Sequence, residues 1–159
     1  QLGGIDILIN NAGVGDFGSF EDMPVETWEK VMKVNLFGVY YVTKATLPYL
    51  KQNKEGDIVN VASTAGLKGA PNMSAYCASK AAVISLSQSL MAELRKFNIR
   101  VITLTPSTIA TDMSIEGKLT DGNPEKVLQP EDFAEWVRDI LKMNRRAMIA
   151  SASIFSTNP

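Results

Sequence analysis

The stretch Asp57-Ile58-Val59-Asn60-Val61-Ala62 is largely apolar and is followed at once by the turn-forming sequence Ser63-Thr64-Ala65-Gly66. A short apolar run bounded by turn residues is typical of a strand that is buried on both faces of a parallel sheet. Similar runs precede and follow it in the chain, at Ile5 to Ile9 and at Arg100 to Thr105. The sequence therefore predicts three strands separated by long segments, and Ala147 to Ala152 is predicted as a fourth.

The segments between these strands carry helical patterns. Pro24 to Gln52 opens with a proline and two early glutamates, which is typical of a helix start. Ser74 to Phe97 is predicted as a second long helix. A third begins at Pro130, because its apolar residues recur at the spacing of one helical face (Phe133, Trp136, Val137, Ile140 and Leu141). Alternating strands and helices predict an α/β fold of the Rossmann type, a parallel sheet with helices on both faces.

Composition narrows the function. The 159 residues carry a net charge of −1 with no basic run, so we expect no nucleic-acid partner. No apolar run is long enough to span a bilayer, so we expect no membrane partner. Because Cys77 is alone, we expect a reducing, cytoplasmic setting. A single cysteine gives neither a disulfide framework nor a cysteine metal site. Because the chain has no histidine, proton chemistry must use tyrosine, lysine or a carboxylate, and we expect no metal.

Candidate chemistry gathers at one edge of the predicted sheet. Ligands of such sheets bind beyond the carboxyl ends of the strands, and the segments there are Asn10 to Gly18, Ser63 to Gly69 and Pro106 to Met113. Gly13 to Gly18 matches the pattern G-x-G-x-x-G. A dinucleotide-binding loop needs its glycines to open a helix directly, with an acid about 20 residues later. Neither condition is met here, so a loop is predicted, with a pyrophosphate loop as the alternative.

Tyr76 and Lys80 lie four residues apart and therefore share a helix face. Tyr40 and Lys44 have the same spacing, so spacing alone assigns nothing. Ser63 makes the difference, because it ends a buried strand where the binding crevice is expected. A cation beside a phenol of ordinary pKa about 10 should lower that pKa toward neutrality. Ser63 can then orient a substrate carbonyl against Tyr76. Because no side chain can supply the hydride that reduction of a carbonyl requires, a nicotinamide cofactor is implied.

The ordered set Asn10-Asn11-Ala12-Gly13, Asn35 in Val34-Asn35-Leu36-Phe37-Gly38, Ser63, and Tyr76 with Lys80 resembles the classical short-chain dehydrogenase/reductase family. The resemblance is strongest to the branch of 3-oxoacyl-[acyl-carrier-protein] reductase.

The resemblance implies a role for each catalytic residue. Tyr76 would be the general acid/base and Ser63 would orient the carbonyl. Lys80 would bind the nicotinamide ribose and tune Tyr76, while Asn35 would hold a proton-relay water.

It also implies that the cofactor is NADP(H), favoured over NAD(H). Asn11, Ala12 and Gly13 would line its adenosine side, and Pro106, Ile109 and Thr111 its carboxamide. Substrates would be carbonyls or secondary alcohols, with 3-oxoacyl thioesters among the candidates. The two long helices are the faces that relatives use to form homodimers or homotetramers.

Two departures from the family pattern affect these expectations. Ser107 stands where the family has a glycine after Pro106; a left-handed glycine there would leave Ser107 strained or the loop re-routed. The chain also begins at what resembles the fourth strand of the family, without the first βαβαβ part and its glycine-rich turn. We therefore expect residues 1–159 to be a partial Rossmann domain that is inactive alone. Its exposed edge strand should cause self-association or partial disorder near Gln1 to Gly18.

Two other functions stay open. One is an epimerase or dehydratase of the extended relatives, which use the same tyrosine and lysine. The other is a non-catalytic interaction fragment whose Ser63, Tyr76 and Lys80 show only ancestry. For the reductase, substrate selection would fall to Gly15 to Met23, Gly66 to Met73 and Ser114 to Gln129.

Overall fold

The computed structural model describes residues 3–157, in which four parallel strands form one sheet in the order of the chain. The strands are β1 (Ile7–Asn10), β2 (Gly56–Val61), β3 (Ile99–Pro106) and β4 (Ser151–Ile154). Each pair of neighbours is parallel, so all four carboxyl ends lie at the same edge of the sheet. The predicted Rossmann-type sheet is confirmed.

Five α-helices connect or flank the strands. They are α1 (Val25–Met32), α2 (Gly38–Gln52), α3 (Ser74–Leu94), α4 (Asp112–Glu116) and α5 (Pro130–Lys142). A π-helical segment, Lys33–Phe37, joins α1 to α2, so the single helix predicted from Pro24 to Gln52 is interrupted at Asn35. The helix predicted to Phe97 ends at Leu94 in a short 3-10 turn, and Asn98 follows in the left-handed conformation common after helices. The first helix begins at Val25, so the glycines of Gly13 to Gly18 do not open a helix.

Helices cover both faces of the sheet, as predicted. On one face, Ile58 and Val101 pack with Leu50 of α2 and Leu94 of α3. The next residue of each strand points the opposite way, so Val59 and Ile102 pack against α5 through Val137 and Ile140. All of these side chains are less than a tenth exposed, and Leu50 and Ile58 are fully buried. This alternation across the sheet is the reason that the strands read as continuous apolar runs.

The edge strand β1 has no neighbour on its outer side among the described residues. The predicted exposed edge is therefore confirmed. The side chains of Ile7 and Ile9, which project from a face of the sheet, are also 46% and 45% exposed. Self-association stays a prediction, as does disorder in the segment Gln1 to Gly18, whose first two residues lie outside the described part of the chain.

The fourth strand is Ser151–Ile154 and not Ala147 to Ala152. A turn closed by the Ala147 amide and the Asn144 carbonyl (2.8 Å) occupies the start of the predicted run. Met148 and Ile149 then pack against the α5 side of the core before pairing with β3 begins at Ser151. Apolar residues that fill a core from an extended segment cannot be told from a strand by pattern alone.

The amino ends of β2 and β3 are held by a buried ion pair. The Arg100 guanidinium donates to both carboxylate oxygens of Asp57, with 3.0 Å for the Nη2–Oδ2 contact, and both residues are about 95% buried. Arg100 also donates to the carbonyl groups of Leu141 and Met143, each at 3.1 Å. It therefore fixes the end of α5 against the sheet, which in turn positions β4.

Candidate active site

A cavity of about 660 Å³ opens at the carboxyl ends of the strands. Its walls come from the ends of β2 and β3, the loop after β1, the start of α3 and the segment Pro106 to Ser114. Ser63, Tyr76 and Lys80 all line it, whereas Asn35 is 1% exposed and lies behind the cavity wall. The structure thus places these three side chains at the predicted edge of the sheet.

Ser63 leaves β2 in an extended conformation and turns the chain into the 3-10 segment Thr64–Gly66, with its Oγ accepting a hydrogen bond from the Ala65 amide (3.1 Å). Gly66 then lies directly against α3: a Cβ on Gly66 would be 2.7 Å from the Lys80 carbonyl carbon and 2.9 Å from the Ala81 nitrogen. Only a residue without a side chain permits this approach. Gly66 thereby brings the end of β2 to the helix that carries Tyr76 and Lys80.

Tyr76 lies in the first turn of α3, and its ring meets the ring of Phe17 edge-on at a centroid distance of 5.8 Å. Burial raises the pKa of the Tyr76 phenol above its usual value, while an interaction with the Ser63 side chain acts to lower it. The phenol is therefore neutral at neutral pH.

Lys80 is 5% exposed, and its Nζ donates to the Val61 carbonyl oxygen at 2.9 Å. The same Nζ lies 5.6 Å from the centroid of the Tyr76 ring. Burial lowers the pKa of Lys80 to about 8. The prediction that Lys80 lowers the pKa of Tyr76 toward neutrality is wrong for this structure, because desolvation of the phenol outweighs the interaction that lowers its pKa.

Asn35 joins the loop after β1 to helix α3. Its Oδ1 accepts from the Val14 amide (2.8 Å), and its Nδ2 donates to the Val14 carbonyl and to the Ser79 hydroxyl, both at 3.0 Å. Ser79 in turn donates to the Tyr76 carbonyl oxygen at 2.7 Å. Sequence reasoning missed Ser79; its only signal is its position, one turn after Tyr76 and next to Lys80.

A buried polar chain supports this arrangement from below. Asn10 at the end of β1 donates to the Asn60 Oδ1 (2.7 Å) and the Thr43 hydroxyl (3.1 Å). Asn60 donates in turn to the Ser87 hydroxyl of α3 at 2.8 Å. These hydrogen bonds therefore link β1 and β2 to α2 and α3 next to the site.

All but one of the residues expected to contact a cofactor line this cavity. Seven of them share the cavity with Ser63: Asn11, Gly13, Tyr76, Lys80, Pro106, Ile109 and Thr111. Ala12 is exposed and is not part of the cavity wall. A Cβ on Gly13 would lie 3.3 Å from the Asn35 Oδ1 and 3.5 Å from the Lys80 Nζ, so the missing side chain keeps the cavity open beside Lys80. This space and the Lys80 donor fit a nucleotide cofactor.

Ser107 shows no strain. It is not among the non-glycine residues with positive φ in the described chain, and its amide donates to the Ile154 carbonyl at 2.8 Å. The backbone after Pro106 is therefore held by pairing with β4 in a conformation that any residue can adopt.

The second tyrosine–lysine pair lies on the surface of α2. Lys44 Nζ donates to the Tyr40 hydroxyl at 3.1 Å, and this contact raises the pKa of Lys44. Tyr40 is 43% exposed and is not among the residues that line the cavity.

Within residues 3–157, no cluster of three or more carboxylate or cysteine side chains could hold a metal ion. None of the helices in that range is both long enough and apolar enough to cross a membrane.

A model of the short chain dehydrogenase family matches residues 1–121, and the chain belongs to that family. It is 37% identical over 170 aligned residues to the inactive 2-(S)-hydroxypropyl-CoM dehydrogenase 2 of Xanthobacter autotrophicus, an alignment that includes 99% of this chain and 73% of the relative. It is 41% identical over 126 residues to the 3-oxoacyl-[acyl-carrier-protein] reductase FabG of Thermotoga maritima, with 79% of this chain and 49% of the reductase covered.

The fold is also similar to a solved serine dehydrogenase in its closed form complexed with NADP+. The TM-score is 0.88 at 30% identity, and the match covers 96% of this chain and 65% of the dehydrogenase. The chain therefore spans between about half and three quarters of the length of these proteins.

Proposed function

We propose that this chain carries the proton-transfer part of the active site of an NAD(P)-dependent oxidoreductase that interconverts a carbonyl and a secondary alcohol. The observation that carries the proposal is the meeting of Ser63, Tyr76 and Lys80 in one cavity at the carboxyl edge of a parallel sheet. Membership of the short chain dehydrogenase family supports it.

In the reductive direction the neutral Tyr76 phenol would donate its proton to the carbonyl oxygen of the substrate. Ser63 would hold that oxygen by a hydrogen bond and so align it with the phenol. Once the proton has left, the phenolate would be stabilised by the Lys80 ammonium, which is the charged form below a pH of about 8. Asn35 would fix the loop at Val14 and, through Ser79, the helix turn that carries Tyr76.

A nicotinamide cofactor, when bound, would supply the hydride. The residues that would hold it are Asn11, Ala12, Gly13, Tyr76, Lys80, Pro106, Ile109 and Thr111. NADP(H) is proposed ahead of NAD(H). Solved structures similar to this chain are complexed with NADP+ in a serine dehydrogenase and with NAD+ in a xylitol dehydrogenase, so the test includes both cofactors. Among substrates, a 3-oxoacyl thioester is the first to test, because the Thermotoga maritima relative is named as a reductase of that class.

The test is tyrosine substitution with a matched control. The 159-residue chain and a longer protein extended upstream of Gln1 are assayed for NADPH or NADH binding by fluorescence and for reduction of an acetoacetyl thioester. We expect the chain alone to be inactive and the longer protein to be active. In the longer protein, Tyr76→Phe should lower the rate by at least about 100-fold. Tyr40→Phe removes the same hydroxyl beside a lysine at the same spacing and should leave the rate unchanged. Full activity of Tyr76→Phe would show that the mechanism is wrong.

A second candidate is a non-catalytic interaction protein. The specific observation in its favour is the Xanthobacter autotrophicus relative, whose name describes it as inactive. A longer protein that binds neither NADPH nor NADH and reduces no thioester would favour this candidate.

We also propose a homodimer or homotetramer and a cytoplasmic location. The exposed aromatic surface at the start of α2 supports self-association, since Phe37 is 44% exposed and Tyr41 is 63% exposed. The free and buried Cys77 is compatible with a reducing compartment.

A further inference from the structure

Phe17 occupies a position at the site that the proposed mechanism does not use. It lies in the loop between β1 and α1, is half-buried, and lines the same cavity as Ser63 and Tyr76. Its ring stands edge-on to the Tyr76 ring, at 5.8 Å between centroids and 73° between planes. This is the geometry that aromatic pairs prefer, because the positive edge of one ring faces the negative face of the other. Phe17 is thus a wall of the cavity directly beside the phenol.

Two glycines form the slot that holds this ring. A Cβ on Gly15 would lie 2.6 Å from the Phe17 Cζ and 3.1 Å from the Met113 Sδ. A Cβ on Gly117 would lie 2.6 Å from the Phe17 Cε2 and 2.8 Å from its Cδ2. Such distances are far below van der Waals contact, so each glycine leaves just the room that the ring fills. Gly18, in the same loop, has no heavy atom within 4 Å of the position of an added Cβ.

The slot joins two segments that are distant in the chain. Gly15 and Phe17 belong to the loop after β1, whereas Gly117 caps the short helix α4, whose Met113 packs on the same side. Leu119, two residues after Gly117, also lines the cavity. The Phe17 ring therefore packs between the loop after β1 and α4, whose Met113 and Ser114 also line the cavity.

We propose that Phe17 is a specificity-determining residue, whose ring limits the size of the substrate group beside Tyr76 and holds α4 at the mouth of the cavity. The proposal rests on the proposed function of Tyr76 as the group that meets the carbonyl. Apolar pockets discriminate by size, since a single methylene changes selectivity by about 10- to 200-fold. Burial raises the pKa of Tyr76, which agrees with a ring that keeps water from the phenol.

The experiment uses the full 159-residue chain labelled with ¹³C at the tyrosine Cζ, and the Tyr76 signal is assigned by its loss in Tyr76→Phe. Acetone, cyclohexanone and acetophenone are titrated as probes of increasing size. In Phe17→Ala, binding of acetophenone relative to acetone should improve by at least about tenfold. The Tyr76 signal should shift without ligand, because the ring current of Phe17 is gone. Phe17→Leu should give an intermediate preference, and it keeps the test decisive if the alanine variant does not fold.

Gly15→Ala is the wedge variant, in which the added methyl group pushes against the Phe17 ring, and Gly18→Ala is its matched control. The wedge should displace the ring and move the Tyr76 signal, whereas Gly18→Ala should leave both the signal and the ketone preference as in the wild type. An unchanged Tyr76 signal in Phe17→Ala and Phe17→Leu would overturn the proposal, and so would an unchanged size preference. It is also overturned if no ketone moves the Tyr76 signal in any variant.

Failure of the proposed function gives a different result. In that case ketones bind by size as described, yet the longer protein reduces no carbonyl compound. That result would support Phe17 as the residue that limits ligand size and would contradict the proposed catalytic role of Tyr76.

Discussion

Lys80 should make the stability of the chain depend on pH above neutrality. In the folded chain its ammonium is buried at the end of β2 and its pKa falls to about 8, from an ordinary value of 10.5. Between these two values the unfolded chain binds a proton that the folded chain has released. Stability rises with pH wherever the unfolded state binds more protons. The contribution of Lys80 to the free energy of unfolding should therefore increase from pH 8 toward pH 10.5.

The magnitude follows from the same two pKa values. One unit of pKa difference corresponds to about 1.4 kcal/mol. From pH 7 to pH 9 the folded lysine loses most of its charge while the unfolded lysine stays charged, so the gain should be about 1.3 kcal/mol relative to a variant without the amine. Lys80→Met removes the titrating group. It also removes the hydrogen bond to Val61, which adds an offset that pH does not change.

The assay is urea unfolding at pH 7, 8 and 9, followed by circular dichroism, for the wild type and Lys80→Met. The difference in unfolding free energy should shift in favour of the wild type as pH rises. Lys44→Met is the control: contact with Tyr40 raises the pKa of Lys44, so this lysine stays charged over the whole range and its variant should follow the wild type. Parallel pH profiles for the wild type and Lys80→Met would refute the assignment of Lys80 as a desolvated lysine.

Two further predictions concern stability and assembly. Arg100→Met should lower the unfolding free energy by about 3 kcal/mol, because it leaves the buried Asp57 carboxylate without its main partner. Arg138→Ala is the control. Because the ion pairs of Arg138 are half-exposed, this variant should have almost the same urea midpoint as the wild type. Equal midpoints for the two variants would contradict the structural role of the buried pair. Tyr41→Lys places a charge in the exposed aromatic surface of α2 and should shift sedimentation of the longer protein toward smaller species; a wild type that already sediments as a monomer would end the oligomer proposal.

The strands and helices with strong local patterns were predictable. The predicted β2 and β3 agree with the observed strands to within one residue at each end, because continuous apolar runs reflect burial directly. The start of α5 at Pro130 also followed from local chemistry, since proline suits the first turn of a helix. The last strand was less predictable: Met148 and Ile149 look like strand residues but pack in the core beside α5, and pairing with β3 begins only at Ser151.

For the site, the sequence by itself determined which groups are available. The sequence shows directly that the chain has no histidine, that Ser63 follows a strand, and that Tyr76 and Lys80 share a helix face. These local features were enough to predict that the three side chains lie at one edge of the sheet. Only the tertiary structure decided their protonation and their neighbours. The pKa of Tyr76 rises and that of Lys80 falls because distant segments exclude water from both, and Phe17 reaches Tyr76 only because Gly15 and Gly117 leave room for its ring. Desolvation and packing depend on residues far apart in the chain, and no local pattern records them.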